Sequence, residues 1–143
     1  MSIIMIKENT LTAEEFHQLF TSVGWEAPSL EQIQVALNNS LCSFSIYEES
    51  KLVGMARLLG DYAMSYYVKD FAILPDAQGK GVGRKLMEYV IQYIENQIDI
   101  GWGVSLELIS SKGNEKFYSK FGFEERPCEW DSSGMFRMIF SNK

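Results

Sequence analysis

The chain has 143 residues, of which 46% are hydrophobic and 22% charged, with a formal net charge of −6. That length suits one domain and buries a core without disulfides, so a single domain over residues 1–143 is expected. The acidic balance leaves little basic charge for a nucleic-acid face and draws cations instead. No run approaches the ~18 apolar residues of a membrane span, and residues 1–10 lack the basic-then-apolar pattern of a signal peptide. A soluble, cytoplasmic protein with no nucleic-acid or membrane partner is the expectation. Cys42 and Cys128 match no metal or redox spacing and read as free thiols.

In chain order, residues 1–6 read as a short strand. Thr12-Ala13-Glu14-Glu15 is a capping box flanked by the staple positions Leu11 and Phe16, and Phe16, Leu19, Phe20 and Val23 then recur at helical spacing. Ser29-Leu30-Glu31-Gln32 is a second capping box, with Leu30, Ile33 and Leu37 on one face. The two helices join through Gly24-Trp25. Residues 43–48, 52–59 and 66–74 read as three strands of an antiparallel meander. Residues 81–98 give the strongest helix, with Val82, Leu86, Tyr89, Val90, Ile94 and Ile98 as its apolar stripe. A strand at 104–109, a short helix at 114–121 ended by Gly122, and strands at 123–126 and 136–140 complete the order β-α-α-β-β-β-α-β-α-β-β. A meander followed by one β-α-β crossover predicts an α/β (α+β) fold with a mixed sheet and helices on both faces.

The segment Gln78-Gly79-Lys80-Gly81-Val82-Gly83, between a strand broken at Leu74-Pro75 and the long helix, carries the chemistry. A helix N-terminus leaves backbone N–H groups unpaired and partly positive, which favours an anion. Glycines let a phosphate approach the backbone closely. Other phosphate loops fit less well. The dinucleotide pattern needs glycine where Arg84 or Leu86 stands, and a P-loop from Gly79 needs glycine at Arg84.

The run from Asp70 to Arg84 resembles motif A of the GCN5-related N-acetyltransferases, whose Q/R-x-x-G-x-G/A signature is met by Gln78, Gly81 and Gly83. Phe117-Tyr118-Ser119-Lys120-Phe121-Gly122-Phe123 is similar to that family's motif B. The resemblance implies a mostly antiparallel sheet of about seven strands and transfer of an acetyl group from acetyl-CoA to an amine, with no metal. Phe71, Ala72 and Ile73 would run along the pantetheine arm. Gln78, Gly79, Lys80, Gly81, Val82, Gly83 and Arg84 would form the coenzyme A loop, with the pyrophosphate on the N–H groups of 79–84. Asn114 would bond the coenzyme arm, and Tyr118 would serve the leaving thiolate. Family members often dimerise, so a homodimer is among the implied partners.

Direct attack by a neutral amine needs a donor for the thioester oxygen, which the resemblance places at the backbone N–H of Ile73 or Leu74. It also needs a hydrogen bond to the departing thiolate, for which Tyr118 with an ordinary pKa of ~10 is suited. The base is not evident: Asp61, Asp70 and Glu107 are the nearby carboxylates, and His17 is the only histidine. Trp25, Asp61, Tyr62 and Asp70, with Glu129, Trp130, Asp131, Met135 and Phe136 of an expected last hairpin, suit a small cationic amine through charge and cation–π contacts. Alternatives are a non-catalytic acyl-CoA sensor, a nucleotide-binding regulator and transfer to a protein amine.

Overall fold

A computed structural model describes residues 2–143. The described residues up to Ile109 form one compact unit, and Ser110–Lys143 a second. Among the described residues no helix is long and apolar enough to cross a membrane.

In the first unit, β1 (Ile4–Glu8) leads to α1 (Ala13–Ser22) and α2 (Leu30–Asn38), then to β2 (Cys42–Glu48), β3 (Lys51–Gly60) and β4 (Ser65–Ile73). The expected capping box on α1 forms in full: the Thr12 hydroxyl accepts from the Glu15 N–H, and the Glu15 carboxylate accepts from the Thr12 N–H. Leu11 and Phe16 are buried beside it, as a staple requires. On α2 only the Ser29 half of the expected box is present, its hydroxyl accepting from Gln32 N–H. Leu30, expected on the buried face of α2, is exposed, while Ile33 is buried. Leu30 is the first residue of the helix, and the stripe is covered only from Ile33 onward, with Leu37 packed against the cluster that includes Ile33.

β2, β3 and β4 form the three-stranded antiparallel meander expected, and β1 pairs antiparallel with β2 on its outer edge. After β4 the chain makes a 3-10 turn (Pro75–Ala77), then α3 (Val82–Gln97), and returns as β5 (Ser105–Glu107) parallel to β4. The sheet order is β1-β2-β3-β4-β5. Strand alternation assigns its two faces. Met55 and Ala72 face α1 and α2, clustering with Leu11, Ala13, Phe16, Leu19 and Ile33. Phe44, paired with Ala56, faces the other way and meets Tyr89 and Tyr93 of α3 edge-on. Helices therefore cover both faces. The buried stripe of α3 also includes Met87, which the periodicity does not single out.

One irregularity shapes β4. Arg57 pairs with Lys69, but Met55 pairs with Ala72, so β4 carries one more residue than β3 between these points. Asp70 takes up the excess at φ +56, the left-handed conformation of a bulge position ordinarily filled by glycine.

In the second unit, α4 (Glu115–Ser119) is a five-residue helix, followed by Gly122 at φ +89. The strands expected at 123–126 and 136–140 are not formed, so the described sheet has five strands rather than about seven. A two-stranded hairpin is marginal alone, and within this unit α4 is the only regular element. Cys128 N–H instead donates to Asp131 O in a tight turn.

Gly54 packs opposite Ile73. A Cβ there would lie 2.5 Å from Ile73 Cδ1 and 3.0 Å from the Ala72 carbonyl oxygen, which is backbone and cannot swing away. Gly54→Ala is expected to lower unfolding stability by about 1–3 kcal/mol, read as a lower urea midpoint at unchanged slope.

Candidate acetyl-CoA site

The β4–α3 junction brings together most of the residues expected to hold a coenzyme. Leu74 N–H donates to Val53 O at 2.8 Å. In an antiparallel ladder that makes Leu74/Val53 a hydrogen-bonded pair, and Ile73/Gly54 the next, non-bonded one. The Ile73 N–H and C=O are thus directed away from β3. On that side β5 accompanies β4 only over Ser65–Tyr67. The Ile73 carbonyl accepts from Gln78 Nε2 at 2.9 Å. Of the two donors expected for a thioester oxygen, Leu74 is excluded because its N–H is committed to β3. Ile73 stays.

Gln78 therefore ties the loop to the strand with its side chain. Gly79 and Gly81 sit at φ +77 and +83, where only glycine is unstrained, and a Cβ built on either would meet no protein atom within 4 Å. Gly81 is the N-cap of α3 and supplies no side-chain cap; the first intrahelical bond is Lys85 N–H to Gly81 O at 3.1 Å. The N–H groups of Val82, Gly83 and Arg84 precede that bond and are the unsatisfied donors of a helix N-terminus. Val82 itself is buried and contributes only backbone, whereas Lys80 and Arg84 are exposed cations; Arg84 has just a 3.9 Å pairing with Glu88. An open glycine cradle, unsatisfied N–H groups and two cations fit a pyrophosphate. Phe71 is half-buried and Ala72 is buried, so Ala72 offers backbone rather than side chain to a pantetheine arm.

Two of the residues expected to line the acceptor pocket lie far along β4 from the glycine loop. Asp61 and Tyr62 lie in the β3–β4 hairpin, at the start of β4, while the loop follows its end. Nine residues of strand, at roughly 3.3 Å each, separate them. The Asp61 carboxylate accepts from the N–H groups of Ser65, Ala63 and Met64 at 2.8–3.0 Å. Those bonds hold its pKa down at about 2. It closes a turn, as Asp commonly does. Asp70 is an ion-pair partner: its Oδ2 accepts from Arg57 Nε at 2.7 Å. Trp25 packs edge-on against Phe20 with centroids 5.0 Å apart, beside the α1–α2 core cluster, and is first a packing residue. Glu107 is exposed on β5, and His17 is half-buried on α1. Arg57 and Gly54 were not singled out in the sequence; a lone arginine within an apolar strand was the available signal for the first.

In the second unit, Tyr118 is buried at 8% exposure, and burial pushes its hydroxyl up to about 12. Phe117 and Phe123 pack edge-on to its ring. Asn114 is the exposed N-cap of α4; its side chain caps no N–H of the helix. The expected hairpin residues Glu129, Trp130, Asp131, Met135 and Phe136 are exposed, Asp131 paired with Arg126 at 3.3 Å.

A strand that stops at an outward-facing peptide is followed here by a glycine cradle on an uncapped helix, the donor set a pyrophosphate-bearing ligand needs. Residues 39–125 match the model of the acetyltransferase (GNAT) domain. An N-acetyltransferase described as ycf52-like and uncharacterized, from Prochlorococcus marinus, is 30% identical over 131 residues, covering 88% of this chain and 70% of its own. A probable acetyltransferase from meticillin-resistant Staphylococcus aureus superposes with a TM-score of 0.83 at 30% identity, over 96% of this chain and 100% of its own. An aminoglycoside N-acetyltransferase solved with CoA shares the fold at 20% identity and a TM-score of 0.67, over all of this chain and 96% of its own. The chain belongs to the GNAT acetyltransferase family, and it is an N-acetyltransferase by that membership.

Asp61→Asn is expected to lower the melting temperature at pH 7. The lowered folded-state pKa means the carboxylate's contribution is present above the unfolded value of about 3.9 and is lost as pH falls through about 2. The gap between the two proteins, followed by thermal melts from pH 7 down to pH 2, should therefore close from about pH 4 downward. Acetyl-CoA affinity should be unchanged, because the turn is at the far end of β4.

Proposed function

We propose that the protein transfers an acetyl group from acetyl-CoA to the primary amine of a small cationic molecule by direct attack. The observation that carries the reading is the β4–α3 junction, where one backbone N–H is directed outward immediately before a glycine cradle. In this scheme the N–H groups of residues 79–84 hold the pyrophosphate, and Lys80 and Arg84 add charge that strengthens those bonds. The Ile73 N–H meets the negative charge that develops on the thioester oxygen, without having to reorganise. Tyr118 gives a hydrogen bond to the departing sulfur. A phenol at about 12 is a poor source of a full proton for a thiolate whose conjugate acid titrates near 8.5. Its role is thus to stabilise the thiolate, which takes its proton from solvent. Asp61 and Asp70 are bonded to other groups and Glu107 is exposed on β5, so in this scheme no side chain is assigned as base and water takes the proton from the incoming ammonium.

The small-amine acceptor is supported by the net charge of −6, by the exposed Glu129, Trp130 and Asp131, and by the aminoglycoside named in the CoA-bound fold relative. A relative from Glycine max is named a histone acetyltransferase, which favours transfer to a protein amine as the second reading. Incubation with acetyl-CoA and parallel panels of small amines and lysine peptides, with free thiol and product mass followed, decides between them. Efficient peptide modification with no small-amine product would overturn the first reading. Acetyl-CoA binding with no product from either panel would leave a sensor.

Gly83→Val tests the cradle. Gly83 is the second residue of α3, where a helical φ admits valine. The apo melting temperature should hold, while the stabilisation by acetyl-CoA, about 2.7 kcal/mol at a hundredfold excess over Kd, should disappear. Gly81 is the poorer choice, because valine at φ +83 would strain the helix start.

Tyr118→Phe should lower kcat on the order of 10²-fold, as loss of one preorganised donor does, with acetyl-CoA affinity nearly unchanged. Since the hydroxyl stays protonated below about 12, the pH–rate profile of the native protein should rise with deprotonation of the amine and show no falling limb from Tyr118 up to pH 10. Equal kcat for both proteins would make Tyr118 a packing residue.

A further inference from the structure

The bulge in β4 determines which peptide group faces the cofactor. Before it, residue numbers of paired positions sum to one less than after it: Arg57 pairs with Lys69, but Met55 with Ala72 and Gly54 with Ile73. Were the extra residue removed from the ladder, Ile73 would fall opposite Val53, in the hydrogen-bonded class, and its N–H would point into the sheet. Ala72 would face outward in its place, and every side chain from 71 onward would change face. The outward Ile73 N–H thus exists because Asp70 holds φ +56.

A non-glycine residue keeps that conformation only when its surroundings over-determine it. Here the surroundings are specific. Arg57 Nε donates to Asp70 Oδ2 at 2.7 Å, with side-chain exposures of 15% and 11%. Arg57 Nη1 lies 3.5 Å from Ser40 Oγ, and Ser40 Oγ donates to Ala36 O in α2. The carboxylate is thereby held from the opposite strand, and the arginine is steadied from the end of α2.

We propose that Arg57 is a positioning residue: through Asp70 it locks the β4 bulge in the register that turns the Ile73 N–H toward the thioester. This rests on the functional reading above. Arg57 touches neither coenzyme nor acceptor in it.

The test exploits the fact that glycine takes φ +56 without strain and alanine does not. Both remove the carboxylate that Arg57→Met would leave unpaired, so their difference isolates the backbone. Arg57→Met/Asp70→Gly and Arg57→Met/Asp70→Ala are compared with the native protein by the amide resonance of Ile73, titrated with acetyl-CoA and with CoA. The native protein should show an Ile73 shift with acetyl-CoA that CoA does not produce. The glycine double variant should retain at least half of that shift, and the alanine double variant should lose it, with each measured at least 15 °C below its own melting point. An Ile73 shift equal in the two double variants would overturn the positioning role alone, leaving the functional reading intact. No acetyl-CoA-dependent change anywhere in the native spectrum would overturn the functional reading, and the inference with it.

Discussion

A strand that accommodates one extra residue changes, from that point on, which of its peptide groups face which neighbour. In β4 that residue is Asp70. Its left-handed backbone costs about 1–2 kcal/mol for an ordinary side chain, somewhat less for Asp. What is gained is a reassignment of the whole C-terminal half of the strand. Ala72 joins Met55 in the core under α1 and α2, and Ile73 drops against Gly54 on the α3 side. The space for Ile73 exists because position 54 has no side chain. Gly54, Arg57 and Asp70 thus serve one geometry from two strands.

The helix starts show a division of labour. Thr12 and Ser29 cap α1 and α2 with side-chain oxygens. The longest helix, α3, begins instead at a left-handed glycine with no side-chain acceptor. A glycine start without a side-chain cap forgoes a few tenths of a kcal/mol, and its N–H groups must be met by water or by a ligand. A phosphate oxygen is the acceptor these donors suit best. The buried stripe of Val82, Leu86, Met87, Val90 and Ile94 supplies the stability the cap does not.

Much of this was legible in the residues, and what was not has physical causes. The 3.6 periodicity of α3, the capping boxes and the glycine loop are local signals with local outcomes, and the structure shows each, save for the missing half of the α2 box. The meander followed from apolar runs and turns. The bulge did not, because period-2 alternation continues on both sides of it and the shift is visible only against the partner strand. Asp61 looked like a pocket carboxylate because a loop acid suits binding or turn closure equally in sequence. Three backbone N–H groups converging on its Oδ1 give it the turn role. Leu74 looked equivalent to Ile73 until the ladder gave its N–H to Val53. The strands expected at 123–126 and 136–140 are not formed, since strand formation needs a partner edge that composition does not specify.

The two peptide groups that flank Ile73 show why one N–H is suited to the proposed role. The peptide that ends in Leu74 is engaged at both ends: Gln78 donates to its carbonyl, and its N–H donates to Val53. It cannot rotate without breaking both bonds. The preceding peptide carries the Ile73 N–H and the Ala72 carbonyl. Ala72 is opposite Met55 in the hydrogen-bonded class, so its carbonyl accepts from β3. A peptide whose carbonyl is already bonded is polarised, and its N–H becomes a better donor. The strand thus presents an outward N–H strengthened from behind and fixed in direction by the locked peptide after it. That is the property an oxyanion donor needs, since its strength comes from not having to reorient as charge develops. It also gives the first position of the Q-x-x-G-x-G signature a physical meaning in this chain: Gln78 fixes the strand's last peptide, and the two glycines open the cradle.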